Sequence, residues 1–103
     1  MEVSIPKTWA VSALLELGEW SGGGTPSKAI EDYWTGNIPW VSPKDMKQDA
    51  IFDSEDHISE SAVRNSATKL IPSNSLLFVT RSGILAHTFP VAIAMVPVTV
   101  NQD

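Results

Sequence analysis

Apolar residues in this chain come in short runs cut by turn-forming residues, and that pattern favours short strands over long helices. Leu76-Leu77-Phe78-Val79-Thr80, Val91-Ala92-Ile93-Ala94-Met95 and Val98-Thr99-Val100 are each bounded by Pro, Gly, Asn or Ser. Runs of this length with β-branched and aromatic members read as strands. The chain carries 7 prolines and 6 glycines among 103 residues, so breakers recur too often for an extended helix. Apolar residues make up 43%, enough for one packed core, and the length suits a single domain.

Upstream, Ile38-Pro39-Trp40-Val41 reads as a strand that Pro39 confines to a sheet edge, because proline cannot donate to a ladder. Ser42-Pro43-Lys44-Asp45 reads as a helix start: serine caps, proline suits the first helical position, and Asp45 stands where a capping-box acid belongs. Ser59 caps a second short helix reaching about Asn65. Val11, Leu14 and Leu15 share a helical face, so residues 10–17 read as a short helix or as a buried strand. Ile5 to Trp9 reads as extended. The fold expected is α+β, mainly β, with small helices.

Charge and composition narrow the function classes. The net charge of −5 argues against strong non-specific nucleic-acid binding, which draws its affinity from Lys and Arg at phosphates. It leaves room for a module in which a few cations and many neutral donors face a duplex. There is no cysteine, so disulfides, thiolate chemistry and cysteine-based zinc sites are excluded. No apolar run approaches the roughly 20 residues that span a bilayer, and the first residues do not read as a signal peptide. A cytoplasmic protein without membrane contact is expected.

Catalytic constellations fail one by one. Gly22 to Lys28 is turn-rich, since glycine permits backbone angles closed to other residues. It is not a Walker loop: Ser27 precedes Lys28 and Ala29 follows it, where that loop needs Gly before the lysine and Ser or Thr after. His57 lies near Asp53, Glu55 and Asp56, a cluster better read as a solvated acidic loop than as a cation site, and His87 stands apart. Glu31 and Asp32 read as surface charges. A protein without enzymatic activity and without cofactor or metal is expected.

Binding chemistry has more to recommend it. Tyr33, Trp34 and Trp40 lie near the glycine loop and near Lys44 and Lys47, a mixture suited to stacking and to donating to phosphates. Trp40 reads as core, while Trp34 fits core or surface equally. Arg81, on a Ser-Gly turn after a buried strand, has the reach to clamp a phosphate or a guanine edge, or to form a structural salt bridge.

Taken as an ordered set, these short words resemble the opening half of a target-recognition domain from Type I restriction-modification specificity subunits. The words are Gly23-Gly24-Thr25-Pro26-Ser27-Lys28, Tyr33-Trp34, Gly36, Ile38-Pro39-Trp40-Val41, Ser42-Pro43-Lys44-Asp45-Met46-Lys47, Ile58-Ser59-Glu60-Ser61-Ala62-Val63, Leu70-Ile71-Pro72, Thr80-Arg81-Ser82-Gly83-Ile84 and Val100-Asn101-Gln102-Asp103. The resemblance begins at Pro6-Lys7-Thr8-Trp9 and covers nearly the whole chain.

It implies a partly β-helix-like α+β domain that reads one half of a split double-stranded DNA target. It also implies partner methyltransferase (modification) subunits, which carry the methylation chemistry, and restriction subunits. It locates the loops that face the DNA, and the candidates for contact on them are Gly23, Gly24, Thr25, Ser27, Lys28, Lys44, Lys47, Arg81 and Ser82. In the family the recognition domain continues past the position of Asp103. Residues 1–103 are therefore expected to be a single truncated recognition domain whose unpaired terminal strand, at 98–100, invites self-association. The rival expectation is a protein-interaction module, or a fragment without an independent role.

Overall fold

The computed structural model describes residues 22–81 and 90–103. The readings made for residues 5–17, Ser82, Gly83 and His87 lie outside that range. Six short strands form two three-stranded sheets. The first is ordered β3-β1-β6, from Asp56–Ile58, Ile38–Val41 and Thr99–Val100. The second is ordered β2-β5-β4, from Ala50–Ile51, Val91–Ala94 and Leu76–Phe78. Each sheet mixes one antiparallel with one parallel pair: β1 runs against β3 and alongside β6, and β5 runs against β4 and alongside β2. One α-helix, α1 (Glu60–Arg64), and two 3-10 turns at Glu31–Trp34 and Pro43–Asp45 complete the described elements, giving a mainly β, α+β architecture.

The capping signals act much as the sequence suggests. Ser59 accepts from the Ala62 amide at 3.3 Å and opens α1. Asp45 accepts from the Ser42 amide at 3.0 Å, and its other oxygen takes the Glu55 amide at 3.0 Å. That second bond ties the turn to the approach of β3. The expected helix at 43–45 stops after one 3-10 turn.

Two expectations are corrected. Strand β1 is central, not an edge. The Pro39 carbonyl accepts from the Thr99 hydroxyl at 2.8 Å, so the proline's missing donor falls on the β6 side. The β6 ladder begins one residue later, at Trp40, so no ladder bond is forfeited. Nor is the terminal strand unpaired. Val98 exchanges both backbone bonds with Ile71, at 2.6 and 3.0 Å. On the flank of β6, the Val100 carbonyl accepts from the Gly24 amide at 3.1 Å and the Thr68 hydroxyl at 2.8 Å. The edge that was expected to recruit a second copy is closed by the chain itself, which removes the basis for self-association through that strand.

Two apolar clusters hold these layers. Val41, Met46, Ile51, Leu77, Val79, Ala92, Ala94 and Val98 form the larger. Trp40, Ile58 and Ala62 form the smaller, flanked by Tyr33, Trp34, Ile38 and Val63. Strand β5 alternates strictly, with Ala92 and Ala94 inward and Val91 and Ile93 outward. The outward residues are apolar as well, and Leu76 faces Ile93 in register, so one side of this sheet presents hydrocarbon to solvent.

Candidate nucleic-acid interface

The glycine loop is tied down at almost every residue. Gly23 lies so close to the chain end that an added Cβ would stand 2.1 Å from the Asn101 carbonyl oxygen and 2.3 Å from that of Val100. Gly24 is wedged against Ala67 and Thr68 in the same way, its hypothetical Cβ 2.8 Å from the Thr68 amide nitrogen. No glycine among the described residues has a positive φ. The loop therefore uses glycine for close backbone approach, and not for the unusual angles that the sequence suggests.

Two indoles hold the loop from below. Trp40, 5% exposed, donates to the Gly24 carbonyl at 3.0 Å, and Trp34 donates to that of Ser27 at 3.1 Å. The rings themselves meet edge to face, centroids 5.0 Å apart at 89°. Trp40 is thus core, as expected, and half-buried Trp34 serves both core and surface. Lys28 lies 5.7 Å from the Trp34 ring centre, a cation–π distance that keeps its ammonium near the loop. Pro26 is fully buried and pins the middle of the loop, while Thr25, Ser27 and Lys28 remain exposed.

Arg81 reaches the same place from the other side of the sequence. Its amide donates to the Asp103 carbonyl at 2.9 Å, and its guanidinium donates to the Gln102 carbonyl at 3.1 Å. The Asp103 carboxylate stands 3.9 Å from that guanidinium, and the Arg81 side chain stays 67% exposed. Thr25 meets the adjoining atoms, its hydroxyl hydrogen-bonded to the Gln102 side-chain oxygen at 2.5 Å. Gly23, Gly24, Thr25 and Arg81 are thus gathered around residues 100–103, although 56 residues separate Thr25 from Arg81 in sequence. An open groove of about 1010 Å3 runs beside them, with Gly22, Gly23, Thr80, Gln102 and Asp103 among its lining residues.

The lysines separate. Lys44 is paired, 2.6 Å from Asp56 and 3.7 Å from Glu55. Its hydrogen bond to Asp56 raises its pKa above the ordinary lysine value. Lys47 lies with Lys44 along a second, shallower depression and has no carboxylate partner among the described residues. Among the described residues, neither lysine is hydrogen-bonded or ion-paired to the glycine loop. Ser82 lies outside the described residues.

The acidic stretch resolves into pairs. His57, on β3, stands 2.6 Å from Asp53, and this contact lowers the Asp53 pKa below the usual carboxylate value. Asp56 is taken by Lys44. What the sequence reading missed is the hub itself. Asn101, Gln102 and Asp103 appear in it only as part of a family word, because nothing local marks a polar tripeptide as the junction of two distant loops.

Comparison with known proteins shows the family of the chain. Residues 6–103 match the family described as "Type I restriction modification DNA specificity domain". The chain belongs to that family. Among its relatives, the Escherichia coli "Type I restriction enzyme EcoR124I/EcoR124II specificity subunit" is 54% identical over 89 residues, 85% of this chain and 22% of the relative. The Methanocaldococcus jannaschii "Type I restriction enzyme MjaIX specificity subunit" is 41% identical over 101 residues, 95% of this chain and again 22% of the relative. The Haemophilus influenzae "Type I restriction enzyme HindI specificity subunit" is 31% identical over 73 residues. This specificity-domain chain therefore spans less than a quarter of the length of the curated relatives it matches. Among the described residues, no helix is long and apolar enough to cross a membrane.

Proposed function

We propose that this chain is the sequence-reading part of one target-recognition domain in a Type I restriction-modification specificity subunit. It contacts one half of a bipartite double-stranded DNA target and performs no chemistry itself; methylation and cleavage fall to modification and restriction subunits. Residues 1–103 act as a single recognition unit within that larger assembly, in the cytoplasm. The observation that carries the proposal is the meeting of the glycine loop and Arg81 around residues 100–103, in a chain that belongs to a DNA-specificity family.

The division of labour follows from the chemistry of each group. Backbone amides at Gly23, Thr25, Ser27 and Lys28 have no protein partner among the described residues, and amides so placed donate well to phosphate oxygens. Lys28, held near Trp34, adds a positive charge beside them. Arg81 keeps free donors after its bond to Gln102 and is the residue best placed to read a guanine edge. Gly24 supports the loop and presents nothing to the duplex. Lys44 contributes least, because contact with a phosphate would cost it the Asp56 partnership. Lys47 and Ser82 complete the set.

A salt series tests the proposal. Affinity for duplex DNA is expected to fall as salt rises, and to be higher for a duplex selected from a randomised library than for its shuffled counterpart. Equal, weak binding to both at every salt concentration contradicts it.

A further inference from the structure

Among the described residues, no hydrogen bond or ion pair joins the glycine loop to Arg81; what they share is one residue. The Gln102 side-chain oxygen is hydrogen-bonded to the Thr25 hydroxyl at 2.5 Å, and its main-chain carbonyl accepts from the Arg81 guanidinium at 3.1 Å. The main chain around it is fixed on both sides. Asn101 donates its amide to the Val41 carbonyl at 3.0 Å, and its side-chain oxygen accepts from the Asp103 amide at 3.1 Å. The Asp103 carbonyl then takes the amides of Thr80 and Arg81, at 2.6 and 2.9 Å. Gln102 itself is exposed.

We infer that Gln102 is a positioning residue that sets the glycine loop against Arg81, so that the two reach a duplex in one fixed relation. The inference rests on the DNA-reading function proposed above. Its physical content is that an arginine with rotamer freedom reads a base edge poorly unless its guanidinium is oriented beforehand. The Gln102 carbonyl supplies that orientation, and the Thr25 hydroxyl keeps the carbonyl's own residue in place. Two of the groups on the proposed reading surface therefore act as one unit, although each belongs to a different loop.

The test is a double-mutant cycle on the full chain, using the duplex enriched from a randomised library. Gln102→Met keeps the length of the side chain and removes its amide; Thr25→Val keeps the shape and removes the hydroxyl. Each is expected to lower affinity about fivefold, the value of one ordinary hydrogen bond, and the pair together no more than either alone. Thr25→Ser, which retains the hydroxyl, is expected to stay within about twofold of the parent. Arg81→Ala is expected to cost less in the Gln102→Met background than in the parent, a non-additivity that a purely structural role does not produce. Multiplying losses, or a Gln102→Met variant of parental affinity, overturn the inference.

A DNA-free measurement separates this from failure of the functional reading. In Thr25→Val the NMR signals of the Arg81 amide and guanidinium are expected to shift, and unmoved Arg81 signals overturn the inference. Shifted Arg81 signals in a chain that enriches no duplex sequence uphold the coupling and overturn the DNA-reading proposal.

Discussion

Replacing Gly23 by alanine tests the fold and the candidate site together. The added methyl carbon would lie 2.1 Å from one carbonyl oxygen, 2.3 Å from a second and 2.7 Å from the Asn101 carbonyl carbon. All three are backbone atoms, held by the bonds from Gly24 and Thr68 to Val100 and from Asn101 to Val41, so no flexible side-chain tip can move aside. Relief requires the loop to lift off residues 100–102. Overpacking of this kind costs about 1–3 kcal/mol. In a domain of this size each kcal/mol is worth roughly 4–8 °C in melting temperature, so a fall on the order of 5–20 °C is expected. Gly22→Ala is the matched control, because among the described residues nothing lies within 4 Å of its added carbon. There the change is expected to be neutral, or stabilising by up to about 1 kcal/mol through a stiffer unfolded chain. Chemical denaturation of both variants with a common m-value gives the comparison. If Gly23→Ala proves no less stable than Gly22→Ala, the loop does not lie where it is described, and the reading surface built on it fails.

Trp40→Phe leaves the buried Gly24 carbonyl without its indole donor and is expected to cost about 1–3 kcal/mol by denaturant titration, against about 1 kcal/mol or less for Trp34→Phe at the exposed Ser27 contact. Lys47→Ala is expected to reduce the slope of log affinity against log salt by about one, whereas Lys44→Ala, already engaged with Asp56, changes it less. The His57 contact depresses the Asp53 pKa, so whatever stability it lends is present above the unfolded carboxylate value and disappears as pH falls through the lowered folded value. NMR titration of the Asp53 carboxyl is expected to show this depression in the parent and a smaller one in His57→Ala, where the Ser54 backbone hydrogen bond remains.

Much of this architecture was legible where local chemistry fixes it. Ser59 caps α1 because its hydroxyl reaches the Ala62 amide, a relation contained within three residues. The runs at 76–80, 91–95 and 98–100 became β4, β5 and β6, each shorter than the apolar run that announced it. The pairings were not legible. Pro39 reads as an edge signal, and only the offset between β1 and β6 makes it harmless in a central strand. The brief strands β2 and β3 carry too few residues to show an alternation. At the site, the resemblance brought out the loop and Arg81, yet their convergence depends on the parallel pairing of β6 with β1, a contact across almost 60 residues. The antiparallel pairing of β1 with β3, which sets Trp40 opposite Asp56, instead brings Lys44, adjacent to the loop in motif order, to the carboxylates of Glu55 and Asp56.

The most direct test of the central claim is a backbone-amide NMR titration of this chain with the library-enriched duplex. The account predicts shifts concentrated in residues 22–28, at Thr80 and Arg81 and across residues 101–103, with a smaller shift at Lys47 and with α1 unmoved. Shifts centred on the outward apolar residues of β4 and β5, or none at concentrations where the shuffled duplex behaves identically, would contradict it.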